Sequence, residues 1–168
     1  MDCPHYFDKP FLDDLPYEPS VLLLDRIESF DESSRVIVCR MPTDTPSPFT
    51  DAQRNHPVKH PPHVSGSAMI HVTGMLGFIH LYYMLHRTHA EGWVGFGTHI
   101  HKAVFRKLVT PGSPMLCSCK ETKVRLMGSR IFVTYEFEFR HEDQVAYESK
   151  QSAMWLDTNA EQPTQVSS

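Results

Sequence analysis

Residues 65–88 read SGSAMIHVTGMLGFIHLYYMLHRT, and apolar side chains recur on nearly every side of a helix built from them. Ser65 is a residue type that caps helix N-termini, and Gly92 follows as a stop signal. A helix that is apolar all round must be buried on most of its sides. We therefore expect a long central helix over residues 65–88.

Two glycines interrupt this helix. Gly74 and Gly77 lie three positions apart on one side of it. Each costs up to ~1 kcal/mol relative to alanine in an exposed helix. We expect close approach of another backbone to compensate for both.

The segments on either side of the helix have strand composition. Residues 21–30 and 35–40 flank a polar turn and predict a hairpin. C-terminal to the helix, short turn-rich connections separate four further strand candidates, so that consecutive strands can pair antiparallel. These candidates are residues 93–105, 114–124, 130–140 and 145–156. The pattern predicts an α+β domain in which the apolar face of an antiparallel sheet covers the helix.

The chain of 168 residues fits a single domain, which we place at residues 1–156. Prolines in residues 1–20 predict an irregular arm with at most a short helical turn. Prolines also fill residues 42–62 and predict a long loop, which is more often functional than idle. The polar residues 157–168 predict a disordered tail.

Composition excludes several classes of protein. A net charge of −4, with 40% hydrophobic and 21% charged residues, is typical of a globular protein and gives no reason to expect a nucleic-acid partner. The N-terminus has no basic segment followed by an apolar run, so we expect a cytoplasmic protein with reduced cysteines. The apolar helix contains His71 and His80 and lacks asymmetric Lys/Arg flanks, so we expect no membrane span.

Three stretches carry a family signature. They are LP at 15–16 with VLLLDRI at 21–27, HP at 56–57 with VSG at 64–66, and IHKAVFRKLVTPGS at 100–113. Together they resemble the β-hydroxyacyl-acyl-carrier-protein dehydratases, a family of hot-dog proteins. The resemblance spans residues 15–156, and its most specific part is the third stretch.

This resemblance implies a hot-dog fold, with a long central helix wrapped by a curved antiparallel sheet. It implies a homodimer joined sheet edge to sheet edge, with each active site built between the subunits. The substrate would be an acyl thioester on the phosphopantetheine of an acyl carrier protein or on coenzyme A, with no other cofactor. The implied activity is that of a lyase of fatty acid biosynthesis, the reversible dehydration of a 3-hydroxyacyl thioester.

The family's catalytic pair is a loop histidine, which takes the Cα proton, and a helix carboxylate, which protonates the leaving hydroxyl. The histidine position falls at His56, with His60 and His63 as alternatives, and the carboxylate position falls at His71. Residues 52–90 contain no Asp or Glu. Two histidines could divide the two roles, although burial and the positive helix end disfavour the imidazolium that an acid requires. We predict His56 and His71 as the catalytic pair.

Other residues take binding roles from the same resemblance. The N–H of Gly66 at the helix N-terminus would hold the thioester carbonyl. Arg106 and Lys107 would meet the phosphate of the carrier arm or an acidic carrier protein, with solvated sheet-edge charges as the alternative. The remaining predicted substrate-binding residues are Ser65, His63, Phe96 and Gly97.

Alternatives stay open at this point. The histidines at 56, 60, 63 and 71 could hold zinc, but the prolines between them and the absence of nearby cysteines or carboxylates favour no metal. A non-catalytic acyl-thioester binding subunit with a degenerate site is the second hypothesis. Thioester hydrolysis ranks third, because water activation normally needs a carboxylate in this region.

Overall fold

The structure is a computed structural model and describes residues 3–54, 56 and 59–160. Its strands are β1 (His5–Tyr6), β2 (Arg26–Asp31), β3 (Val36–Met41), β4 (Trp93–Phe105), β5 (Met115–Met127), β6 (Arg130–His141) and β7 (Gln144–Asp157). Within the described residues they form one antiparallel sheet of seven strands in the order β1-β2-β3-β5-β6-β7-β4. The predicted α+β architecture is confirmed.

The helices are α1 (Lys9–Asp14), α2 (Pro48–Asp51) and α3 (Gly66–Tyr83), with a 3-10 turn at Pro19–Val21. The Ser65 hydroxyl caps α3 by accepting a hydrogen bond from the Ala68 N–H at 3.2 Å. The helix ends at Tyr83 rather than at residue 88, because His86 adopts a left-handed backbone with φ 52° and turns the chain away. The central helix is thus confirmed, with a shorter C-terminal end.

The core lies between α3 and the inner face of the sheet. Val72, Leu76 and Ile79 of α3 are fully buried. The inner face of β6 alternates as the sequence predicts, and its side chains are all buried: Ile131, Val133, Tyr135, Phe137 and Phe139. The sheet therefore wraps the helix through an apolar interface that spans most of its length.

The N-terminal third differs in detail from the expectation. The hairpin strand begins at Arg26 rather than at residue 21, because Pro19 starts a 3-10 turn and Leu23 has a left-handed φ of 58°. The arm is more regular than expected, since Asp8 caps α1 by accepting a hydrogen bond from the Phe11 N–H at 3.1 Å.

The C-terminal end stays ordered beyond the expected boundary. The Thr158 hydroxyl donates a hydrogen bond to the Gly92 carbonyl at 2.9 Å, and the Asn159 side chain donates one to the Glu91 carbonyl at 2.8 Å. Residues 161–168, to which the disordered-tail prediction also applies, lie outside the described residues.

Strand β4 forms one edge of the sheet. Within the described chain no strand pairs with its outer side. Phe96, Ile100 and Phe105 on this strand are each about half exposed, at 52%, 53% and 50%. A long, open, partly apolar edge is a ready template for pairing with another chain. Among the helices of the described residues, none is long and apolar enough to cross a membrane.

Candidate functional site

A cavity of about 230 Å³ opens between α3 and strands β4, β6 and β7. Aromatic rings and glycines make up most of its lining. The aromatic residues are Tyr17, Phe78, Phe96, Tyr135, Phe137 and Trp155, and the glycines are Gly74, Gly77, Gly95 and Gly97. His71, Thr73, Gln151 and Ser152 add polar atoms, and the described lining contains no carboxylate. This is a largely apolar pocket with a few polar groups, the usual form of a small-ligand site.

Two of these glycines leave room in the cavity. A Cβ added at Gly74 or Gly97 would meet nothing within 4 Å. A Cβ at Gly77 would instead touch the Trp155 ring at 3.6 Å. The expected close neighbour is therefore present for Gly77, as a ring rather than a backbone, but absent for Gly74 among the described residues. A glycine is costly inside an exposed helix, and no contact among the described residues compensates for Gly74.

His71 lies on the α3 wall of this cavity and is half-buried. Its Nε2 is 2.6 Å from the backbone carbonyl of Val21. Because a carbonyl can only accept, Nε2 must carry a proton, and in the neutral ring the lone pair therefore lies on Nδ1. Nδ1 has no hydrogen-bond partner within the described part of the chain. The Val21 carbonyl thus selects the tautomer of the neutral imidazole that can accept a proton at Nδ1.

The other polar groups of the cavity are occupied. The Thr73 hydroxyl lies 2.6 Å from the Ile70 carbonyl and 3.2 Å from Gln151 Oε1. The Gln151 amide in turn donates to the Ser149 hydroxyl at 2.7 Å. His71 is therefore the cavity group with the most evident capacity to act on a ligand.

A second cavity, of about 450 Å³, lies at the N-terminus of α3 and is lined in part by His63, Gly66, Arg106 and Lys107. A Cβ at Gly66 would come within 2.9 Å of the Phe105 ring, so glycine is required for this packing. The predicted role of the Gly66 N–H as a carbonyl anchor stays a prediction. Ser65 acts here as the cap of α3.

Arg106 and Lys107 form ion pairs within the chain. Arg106 pairs with Glu148 at 2.6 Å and Lys107 with Glu142 at 3.1 Å. Both pairs lie at the surface, where such contacts contribute little to stability and exchange readily with other anions. Carrier binding by these two residues stays a prediction.

The predicted catalytic partners lie apart in a single chain. His56 is exposed, its ring Nδ1 accepts from the Lys59 N–H at 2.8 Å, and it is not among the described residues lining either cavity. His71, Phe96 and Gly97 line the first cavity, whereas His63 lines the second. No group of three His, Cys, Asp or Glu side chains among the described residues is placed to hold a metal ion.

A buried network of hydrogen-bonded polar side chains, which was not predicted from the sequence, adjoins the cavity. His80 of α3 is fully buried, and its Nε2–H donates to Glu121 Oε2 at 2.9 Å. The Tyr135 hydroxyl lies 3.1 Å from His80 Nδ1 and accepts from the Trp155 Nε1–H at 3.4 Å. Arg35 donates to both oxygens of Glu121, to Oε2 at 2.5 Å and to Oε1 at 3.1 Å. A lone histidine deep in an apolar helix was the signal that a buried partner must exist.

Burial and neighbouring charges set the protonation states of Glu121, His80 and Tyr135 in this network. Burial raises the pKa of Glu121, but hydrogen bonds from His80 and Arg35 outweigh it and hold that pKa at about 2. Burial lowers the pKa of His80, and the hydrogen bond to Glu121 opposes this only in part. Burial also raises the pKa of Tyr135. At neutral pH the carboxylate is therefore charged, the imidazole neutral and the phenol protonated, and Arg35 is the ionic partner of Glu121.

No protein-family model matches the chain, and no curated protein matches its sequence. Similar solved structures exist. A mutant thioesterase from Pseudomonas aeruginosa has 14% identity and a TM-score of 0.58, over 93% of this chain and 96% of that one. A thioesterase from Haemophilus influenzae has 18% identity and a TM-score of 0.53, over 79% and 78%. The dehydratase heterocomplex ApeI:P from Xenorhabdus doucetiae has 14% identity and a TM-score of 0.60, over 88% and 92%. At these identities the likeness speaks for the fold, and the chain has the hot-dog fold.

Proposed function

We propose that this chain binds an acyl thioester with the acyl group in the cavity beside His71, and that it catalyses the reversible dehydration of 3-hydroxyacyl thioesters. The observation that carries the proposal is the His71 imidazole at the wall of an apolar cavity, with Nε2 bonded to the Val21 carbonyl and Nδ1 left to accept a proton. The lining suits an acyl chain, and the open space at Gly74 and Gly97 leaves it room.

In this reaction His71 Nδ1 takes the Cα proton, and the C–H electrons form the Cα=Cβ double bond. The Cβ–O bond breaks, and the hydroxyl leaves as water once it gains a proton. The sequence resemblance gave the base role to His56, but the hydrogen bond at Nε2 favours His71 for that role. The loop histidine of a second subunit, with His56 as first choice, would then deliver the proton to the leaving hydroxyl.

The proposal includes a dimer formed along β4. A second copy paired with this edge would cover Phe96 and Ile100, which are about half exposed in the single chain. Phe96 and Gly97 also line the cavity, so the partner would lie directly beside it. The substitution Ile100→Lys should convert dimers to monomers in sedimentation, while Lys123→Glu on β5, away from this edge, should not. A stable wild-type monomer would contradict this assembly.

The test of the reaction uses purified protein with 3-hydroxybutyryl and longer 3-hydroxyacyl thioesters of pantetheine. We expect enoyl-thioester absorbance that is lost in His71→Gln and reduced in His56→Gln. His89→Gln, a change at an exposed histidine outside the cavity, is the matched control. Absence of turnover with every chain length, or turnover that survives His71→Gln, would contradict dehydration by this residue.

Hydrolysis is a second candidate, because two of the similar solved structures described above are thioesterases. The same Nδ1 base would take a proton from a water that attacks the thioester carbonyl; the C–S bond then breaks, and the thiolate leaves with that proton as the free thiol. Release of free thiol without enoyl absorbance in the same samples would favour it. Saturable binding without either product would instead favour the non-catalytic subunit, and a gain of turnover in His71→Glu would support that reading. Because one of the similar structures is a heterocomplex, that assay should also be run with a non-identical partner chain added.

A further inference from the structure

The hydrogen bonds of the buried network formed by Arg35, Glu121, His80 and Tyr135 have a defined donor and acceptor at each step. Ionised Glu121 can only accept, so His80 must carry its proton on Nε2 and present a lone pair on Nδ1. Tyr135 must therefore donate its hydroxyl proton to His80, at 3.1 Å. The phenol has no second proton, so its oxygen can offer only acceptor capacity to any further partner. The Trp155 N–H uses one of its two lone pairs, at 3.4 Å.

Stability alone does not explain this arrangement. Burying a charge and three polar groups costs free energy unless all of them are satisfied, and apolar side chains of similar volume can stabilise a core equally well. His80 is fully buried and Tyr135 is only 2% exposed, so both are far from solvent. A fully connected network of this kind fixes the orientation of its members.

One end of this hydrogen-bonded network lies at the cavity. Tyr135 and Trp155 both line it, on β6 and β7. The opposite end, Arg35, is at the surface with 32% of its side chain exposed. The network thus runs from the surface to two residues of the cavity wall, and it fixes the direction of the Tyr135 hydroxyl proton.

We propose that Arg35, Glu121 and His80 are positioning residues that make Tyr135 an acceptor of a hydrogen bond from the hydroxyl group of the bound acyl chain. This inference rests on the proposed function, which places an acyl group in the cavity, and it adds the residue that recognises the 3-hydroxyl group. A 3-hydroxyacyl group can donate to Tyr135. A 3-oxoacyl group cannot, because its oxygen only accepts and the Tyr135 proton is already engaged by His80. The cavity therefore selects 3-hydroxyacyl over unsubstituted acyl, and unsubstituted acyl over 3-oxoacyl.

The experiment measures binding by calorimetry with three pantetheine conjugates, 3-hydroxybutyryl, butyryl and 3-oxobutyryl, each joined through an amide in place of the thioester so that binding is observed apart from turnover. A neutral hydrogen bond of ordinary strength gives about a fivefold preference for the 3-hydroxy over the unsubstituted conjugate. Tyr135→Phe should reduce this ratio to about one. Tyr83→Phe is the matched control, since Tyr83 bonds Asp8 outside the cavity and should keep the wild-type ratio.

His80→Phe separates positioning from mere structure. Without His80 the Tyr135 hydroxyl no longer donates its hydrogen bond to an imidazole and can donate it to the ligand. The 3-oxo conjugate should therefore gain affinity relative to butyryl. A purely structural role of His80 would instead weaken the binding of all three conjugates together. A preference that survives Tyr135→Phe, or equal binding of all three conjugates to the wild type, overturns the inference and leaves the proposed function standing. Failure of all three conjugates to bind overturns the proposed function and the inference with it. The wild-type and Tyr135→Phe ratios decide the matter even if His80→Phe does not fold.

Discussion

Two histidines on α3, His71 and His80, differ in burial and in their hydrogen-bond partners. His71 is half-buried, with Nε2 bound to the Val21 carbonyl and Nδ1 without a partner in the described chain. His80 is fully buried, with Glu121 at Nε2 and Tyr135 at Nδ1. Both rings hold their proton on Nε2, so the difference lies in the second nitrogen alone. A histidine with one free nitrogen at a cavity can act on a ligand, whereas one with both nitrogens occupied can only orient its neighbours.

The largest expected effect concerns His71 and turnover. His71→Gln removes the base but keeps a side chain that can still donate to Val21. We expect a loss of 10²- to 10⁴-fold in turnover, the usual contribution of a general base. Initial rates with 3-hydroxyacyl thioesters measure it, beside urea unfolding curves that should move little. Equal rates for wild type and variant would remove the distinction between the two histidines.

His80 should show the reverse pattern, with a large effect on stability. His80→Leu leaves the charge of Glu121 and the hydroxyl of Tyr135 without their buried partner. The free energy of unfolding should fall by about 2–4 kcal/mol. Urea unfolding of both histidine variants measures the contrast. If His71→Gln destabilises the protein as much as His80→Leu, the two sites are not distinguished by burial.

Acid should act on the protein through His80 and Glu121. Both have a lower pKa in the folded state, from 6.5 for His80 and from 4.5 to about 2 for Glu121, so the unfolded chain binds protons more readily. Their stabilisation is complete above these unfolded values and is lost as the pH falls, first below 6.5 through His80 and then between 4.5 and 2 through Glu121. Each group adds a slope of up to about 1.4 kcal/mol per pH unit. Unfolding curves measured from pH 8 to pH 3 should lose the upper part of this dependence in His80→Leu, and an unchanged profile in that variant would contradict the assignment.

Much of the fold was readable from local pattern, and the key contacts were not. The apolar run of α3 and the alternation of β6 predicted the core, because burial imposes those periods directly. The Val21 carbonyl that fixes His71 lies 50 residues away, and Glu121 lies 41 residues from His80. Such pairings depend on how the helix is set against the sheet, which no local pattern encodes. The end of the helix at Tyr83 was missed for a related reason, since the left-handed turn at His86 carries no glycine signal.

The smallest expected effect comes from the two helix glycines, which mirror the two histidines. Gly74 lies three residues after His71 and faces open space, while Gly77 lies three residues before His80 and faces Trp155. Gly74→Ala should raise the free energy of unfolding by up to about 1 kcal/mol. It should also weaken acyl binding, because the new methyl group narrows the cavity. A stabilised variant with unchanged acyl affinity would show that the space beside Gly74 is not used by the ligand.

The most direct test of the central claim is the response of the two rings to an acyl ligand, read from histidine ¹⁵N chemical shifts. Both His71 and His80 should show the Nε2–H tautomer in the free protein. Adding 3-hydroxybutyryl pantetheine amide should shift Nδ1 of His71 and leave the tautomer of His80 unchanged. A proton on Nδ1 of His71 in the free protein, or no response of that ring to saturating ligand, would contradict the account.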